Sequence, residues 1–260
     1  MRKLNRPQTP DEFIRAYEEF IKTYPPASPE RTENVRWEEW KSTHGDAYKQ
    51  TIDCLWKNQQ GLCAYCEVKL TLTNKEIEHF IPKSRTTSTQ DWTINFSNYV
   101  LSCKGNSYKH SKFYSDDPSP KANLTCGSKK GDLDPSGLLY SPYDLPTFPV
   151  IKEYYDDEGL SFIPDKTACE KASIDPLIIQ STIDTLGLNC PNLKRRRKAV
   201  WDTLIEEYQT LVENTSIGDQ EKELDELIGI NLEAHSGELL AFYTTRLLFF
   251  ACERPELIEG

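Results

Sequence analysis

Phe13, Ile14, Tyr17, Phe20 and Ile21 recur at three- and four-residue intervals behind an acidic first turn and ahead of Pro25-Pro26, which predicts a helix over residues 10–24 with a firm stop. Val35, Trp37, Trp40, Tyr48, Ile52, Leu55 and Trp56 continue the helical period through residues 34–59, with Gly45 dividing the stretch. The pattern then changes. Residues 75–81, closed by Pro82, and residues 98–102 predict two short strands on either side of a loop rich in Ser and Thr. The segment between Cys103 and Cys126 is too polar for a core and is expected to be a loop. Residues 148–163 predict a hairpin turning at Asp-Asp-Glu-Gly. Beyond residue 175 the helical period returns, over about 175–187, 191–214, 220–229 and 236–252, with no internal repeat.

Charge divides the chain unevenly. The net is −10, yet residues 54–134 hold 11 Lys+Arg against 8 Asp+Glu, a net of +3, while residues 201–260 hold 3 against 14, a net of −11. The acidic end would repel a phosphate backbone and suits a protein partner or a solvated face. The most apolar stretch, residues 239–251, contains Arg246 and is too short to span a bilayer. With no signal peptide in evidence, a reducing cytoplasmic location is expected. There, paired cysteines favour metal ligation over disulfides. Cys54, Cys169, Cys190 and Cys252 lack partner spacing, so packing is their expected role.

The chemistry concentrates near Cys63-x-x-Cys66, a spacing that supplies two thiolates to a tetrahedral zinc, and Glu78-His79-x-x-Pro82, where a histidine at a strand end can act as general base. Asn98, Cys103, then Cys126-Gly-Ser-Lys-Lys130 follow in order. On these motifs the chain resembles the HNH endonucleases. With the Leu186-Gly-Leu-Asn-Cys-Pro-Asn-Leu segment and the arginines after it, the narrower resemblance is to the PtuB-type HNH proteins of Septu and retron-linked antiphage systems.

The resemblance implies an α+β fold, mainly helical, with a zinc-stapled ββα-metal core at residues 54–135, a helical segment at 1–53, and a hairpin plus C-terminal helices at 136–260 that dock a partner. It implies a structural zinc on Cys63, Cys66, Cys103 and Cys126. His79 is the expected base, and Asn98, or its neighbour Asn95, is expected to orient it. Glu78, turned inward by the distorted strand end, is expected to bind catalytic Mg²⁺ or Mn²⁺. Gly127 stands where many relatives place a metal ligand, so His110 or Asn123 is expected to supply the missing group. Lys130 matches the family lysine, a phosphate contact. Lys194, Arg195, Arg196, Arg197 and Lys198 form a second candidate nucleic-acid contact. The implied partners are DNA or RNA substrate, a PtuA-type ATPase, and a retron reverse transcriptase with its RNA–DNA product. The alternative is a zinc-dependent binding module whose nuclease site has degenerated.

Overall fold

The computed structural model describes residues 1–26, 32–105 and 123–259. Three helices come first: α1 (Asp11–Thr23), α2 (Glu33–Thr43) and α3 (Gly45–Gln59). The predicted period closes their packing, because Phe13 and Phe20 of α1 meet Trp40 of α2 edge-on, with centroids 5.2 and 5.4 Å apart. Trp40 is fully buried. Full burial of a side chain of Phe20's size contributes roughly 1.5–3 kcal/mol. The chain leaves α3 through Gln60 and Gly61, both at positive φ.

β1 (Lys75–His79) and β2 (Tyr99–Cys103) form an antiparallel pair in which Glu78 faces Val100 and His79 faces Tyr99 across the ladder. A short helix, α4 (Cys126–Lys130), packs on β2, giving the ββα order. The strands start and stop within two residues of the expected limits, and Asn98 falls in the 3₁₀ turn that leads into β2. β3 (Ile151–Asp156) and β4 (Gly159–Pro164) make the expected hairpin. α5 (Lys166–Lys171) was not foreseen; it is a single capped turn and a half, begun by the Asp165 side chain accepting from Ala168 N, too short to show a period.

α6 (Pro176–Thr185), α7 (Pro191–Asn214), α8 (Gln220–Leu232) and α9 (Tyr243–Phe250) complete the chain. α9 begins later than its apolar pattern suggests. Gly237 and Phe242 hold positive φ, and Leu239 N and Phe242 N donate to Gln60 O and Glu67 O. Apolarity in residues 239–242 thus serves a loop laid against the cysteine knuckle rather than a helix face. A main core runs from α1 through the ββα unit to Leu193, and a smaller one gathers Leu204, Leu224, Phe249 and Phe250. Cys169 and Cys190 are buried as expected, whereas Cys252 is exposed and does not pack. No helix among the described residues is long and apolar enough to cross a membrane.

Candidate active site and metal centre

The knuckle is built by short-range bonds. Cys63 N donates to Val68 O and Ala64 N to Leu101 O, which lays the turn against β2. Gln59, fully buried at the end of α3, bridges both: its amide donates to Leu62 O and Leu101 O and accepts from Leu101 N. Cys126 is seated from the other side. Its N–H donates to Leu186 O at 2.7 Å, and the Thr125 hydroxyl donates to the same oxygen. A Cβ at Gly187 would fall 2.6 Å from Leu124 O, so the Leu186-Gly187 corner can approach only without a side chain.

Cys63, Cys66, Cys103 and Cys126 converge, all buried, with sulfurs within 4.8 Å of one another. The separations Cys63–Cys126, Cys66–Cys103 and Cys103–Cys126 are 3.7, 3.6 and 3.7 Å. A disulfide needs about 2.05 Å. The corners of a tetrahedron with Zn–S bonds of about 2.3 Å lie about 3.8 Å apart. The four sulfurs therefore fit a zinc ion, and four thiolates leave no open position for water. Burial holds the Cys126 thiol well above its ordinary range. Cys63, despite its own burial, is held well below that range by hydrogen bonds from the other three sulfurs.

His79 is 7% exposed, its ring edge-on to Trp37 of α2 and Tyr99 of β2 at 4.6 and 5.0 Å. Nε2 lies 2.9 Å from Thr93 O. A carbonyl cannot donate, so the ring proton sits on Nε2 and the lone pair on Nδ1. Burial pulls the ring's pKa down to about 3, against the raising effect of the Thr93 bond. The imidazole is thus neutral at physiological pH, in the form a general base requires.

Residues that the sequence did not single out hold Thr93. Arg36 of α2 forms a buried fork with Asp91, Nη1–Oδ1 3.1 Å and Nη2–Oδ2 2.8 Å. Asp91 Oδ1 in turn accepts from Thr93 N and Ile94 N, and the Thr86 hydroxyl accepts from Trp92 N and Thr93 N. Tyr99 Oη donates to Thr93 O at 2.7 Å. The available signal was an arginine four residues before Trp40, on the buried face of α2.

Glu78 does not turn toward His79 as expected. β1 stays regular through His79, so neighbouring side chains leave on opposite faces. Glu78 meets α4, with Oε1 3.0 Å from Lys130 Nζ. Burial raises the pKa of its carboxyl, and Lys130 restrains the rise. Gly127 lets this happen: a Cβ there would lie 2.3 Å from Glu78 Oε2. The residue that cannot ligate is the one that admits the carboxylate. Gly127→Ala is expected to cost about 1–3 kcal/mol in urea unfolding, as overpacking does. The double substitution Gly127→Ala with Glu78→Ala should lose less than the sum of the singles, and strict additivity would remove the contact from the account.

Mg²⁺ commonly takes one or two carboxylates plus substrate phosphates, so Glu78 fits as a single protein donor. Among the described residues Glu78 belongs to no group of three or more potential metal ligands. His110 lies outside the described residues. Asn123 is turned away, its Oδ1 accepting from Asn192 N at the start of α7.

Asn98 does not touch the imidazole. Its side chain donates to Ile81 O and Trp92 O and accepts from Ile81 N, clamping the segment after His79 to the loop carrying Thr93. Asn95 caps its own turn through Ser97. Lys130 is corrected as a phosphate contact, because Glu78 Oε1, His79 O and Gly131 O occupy all three ammonium protons in a buried position. Lys83, partly buried just beyond Pro82, is the other cation whose charge reaches His79.

The basic run is likewise corrected. Lys194 is buried against Asp156 and Glu158 of the hairpin at 3.1 and 2.5 Å. Arg197 is buried over the Phe162 ring at 4.1 Å and donates to Leu160 O, Leu188 O and Asn189 Oδ1. Arg196 lies over Phe242 and Lys198 pairs with Asp202, while Arg195 is only partly exposed. The run fastens α7 to the hairpin. It does not present a row of cations to a phosphate backbone.

No protein-family model matches the chain, and no solved structure matches it. It is 27% identical, over 85% of its own length and 87% of the other's, to a protein of Escherichia coli named "Retron Ec83 putative HNH endonuclease". It is 33% identical to the "Retron Vc95 putative HNH endonuclease" of Vibrio cholerae serotype O1 biovar El Tor, over 56% of this chain. That second match spans 61% of the relative's length, less than two thirds of it.

Proposed function

We propose that the chain, 27% and 33% identical to two retron proteins named putative HNH endonucleases, hydrolyses phosphodiester bonds as a member of that family, with His79 as its general base. One observation carries the assignment: Thr93 O holds the proton on Nε2, which leaves the Nδ1 lone pair for water. In this reading Nδ1 takes a proton as water oxygen bonds to phosphorus, and the leaving oxygen departs and is protonated from solvent. Lys83 takes the phosphate-facing role expected of Lys130. The zinc shapes the site and takes no part in the reaction. Mg²⁺ or Mn²⁺, when bound, would draw charge from the phosphate, with Glu78 as the protein's carboxylate donor.

The names of the two relatives support a retron setting for this chain as well. The finer reading is a nuclease effector of antiphage defence acting with a PtuA-type ATPase and a retron reverse transcriptase with its RNA–DNA. A second reading, a zinc-dependent nucleic-acid or protein binding module, draws on Glu78 belonging to no group of three or more potential metal ligands among the described residues. Cleavage of duplex DNA, single-stranded DNA and RNA with Mg²⁺ or Mn²⁺ separates the two. His79→Ala should lower the rate roughly 10²–10⁴-fold while the fold is kept. Equal rates would remove His79 from the mechanism, and no cleavage by wild type, with partner present, would favour the binding module.

A further inference from the structure

α7 and α8 form a helical hairpin joined across residues 215–219. The face that carries Leu204 turns into the smaller core. Beside that core, between α7 and α8, lies a groove of about 700 Å³ with an apolar floor of Leu211, Leu227 and Ile230, the first two of which also pack against the core. Ile230 is 56% exposed, and Ile217 at the tip of the hairpin is 89% exposed. Four glutamates stand along the groove: Glu206 and Glu207 on α7, Glu223 and Glu226 on α8. No lysine or arginine lines it among the described residues; Lys222 reaches Glu226 from outside at 3.5 Å.

We infer that this groove seats a basic amphipathic helix from a partner protein. The floor offers apolar area to residues spaced i, i+3/i+4, i+7, and the carboxylates on both walls complement Lys and Arg flanking such a stripe. Nucleic acid and anionic lipid are poor occupants, because both carry the charge that the walls carry. The lining on α7 extends from Thr203 to Asn214, which sets the occupant at about three helical turns, each about 5.4 Å long. The inference concerns the partner side of the reading above and does not depend on cleavage.

The test is fluorescence anisotropy on the full chain with a labelled synthetic helix of about three turns, leucine on one stripe and Lys/Arg elsewhere. Two controls accompany it: a scrambled peptide of equal composition and a duplex DNA. Saturable binding of the patterned peptide, weakened at least tenfold by Ile230→Asp and at least tenfold by the pair Glu206→Lys with Glu223→Lys, is the expected result. All three positions are exposed, so circular dichroism should show an unchanged fold. Equal binding of the scrambled peptide, insensitivity to those substitutions, or groove-dependent binding of DNA would each overturn the inference. So would sedimentation showing that Ile230→Asp dissolves a dimer of the chain, since the occupant would then be a second copy. The cleavage assay with wild type and Ile230→Asp, without partner, should give equal rates, which keeps failure of docking distinct from failure of the nuclease reading.

Discussion

Cys126→Ser is expected to abolish zinc binding at the four-sulfur cluster and to unfold the ββα unit. The four sulfurs sit at zinc-ligand spacing in a buried cluster, and β1, β2 and α4 are too small to bury enough area alone. The apparent free energy of a structural zinc in a small motif is about 10–16 kcal/mol. A whole domain has a net stability of about 5–15 kcal/mol. Because Cys63, Cys66, Cys103 and Cys126 belong to the main core, the loss reaches α1 to α3. Metal analysis by mass spectrometry should find about one zinc per wild-type chain and far less in Cys126→Ser, with the thermal transition lowered by more than about 10 °C or lost. Cys252→Ser, exposed and remote in role, should keep both. Wild-type protein purified without zinc and melting unchanged after chelation would end the assignment.

Asp91→Ala is expected to cost about 3–5 kcal/mol, the usual consequence of stranding one member of a buried ion pair. Arg36 is 1% exposed, and loss of its carboxylate partner leaves the guanidinium with Tyr24 O alone on that side. Two backbone amides, Thr93 N and Ile94 N, lose the same acceptor. The effect on the site follows from the same bonds, because the loop they hold carries the carbonyl that fixes the His79 tautomer. Urea unfolding measures the first effect. Cleavage by the fraction that remains folded measures the second, which should fall while substrate affinity holds. Replacing both partners with apolar residues, Arg36→Met with Asp91→Leu, should recover much of the stability without restoring the rate. A loss below about 1 kcal/mol in Asp91→Ala would show that the pair does not hold the loop.

Much of the site was legible because its residues carry chemistry at short, ordered spacings. The C-x-x-C knuckle, the strand ended by Pro82, and two further cysteines around Asn98 and Gly127 led directly to the sulfur cluster. The helices and hairpin were legible for the same reason, since period and turn residues are local properties. Roles that depend on direction were not. A basic pentad looks alike whether it faces solvent or a hairpin, and only β3 and β4 packed on α7 turn Lys194 and Arg197 into fasteners. Lys130 matched its motif, yet a carboxylate from another element claimed its ammonium.

The sequence by itself determined which four sulfurs converge and which ring sits at the strand end, because cysteine spacing and the stop at Pro82 act within a few bonds of the chain. Only the tertiary structure decided which imidazole nitrogen keeps its lone pair, where Glu78 points, and that Arg36 and Asp91 hold the loop behind His79. Those outcomes depend on desolvation and on hydrogen-bond partners brought from up to 55 residues away. Burial makes each unpaired donor expensive, so the packed fold, rather than the motif, selects the partner.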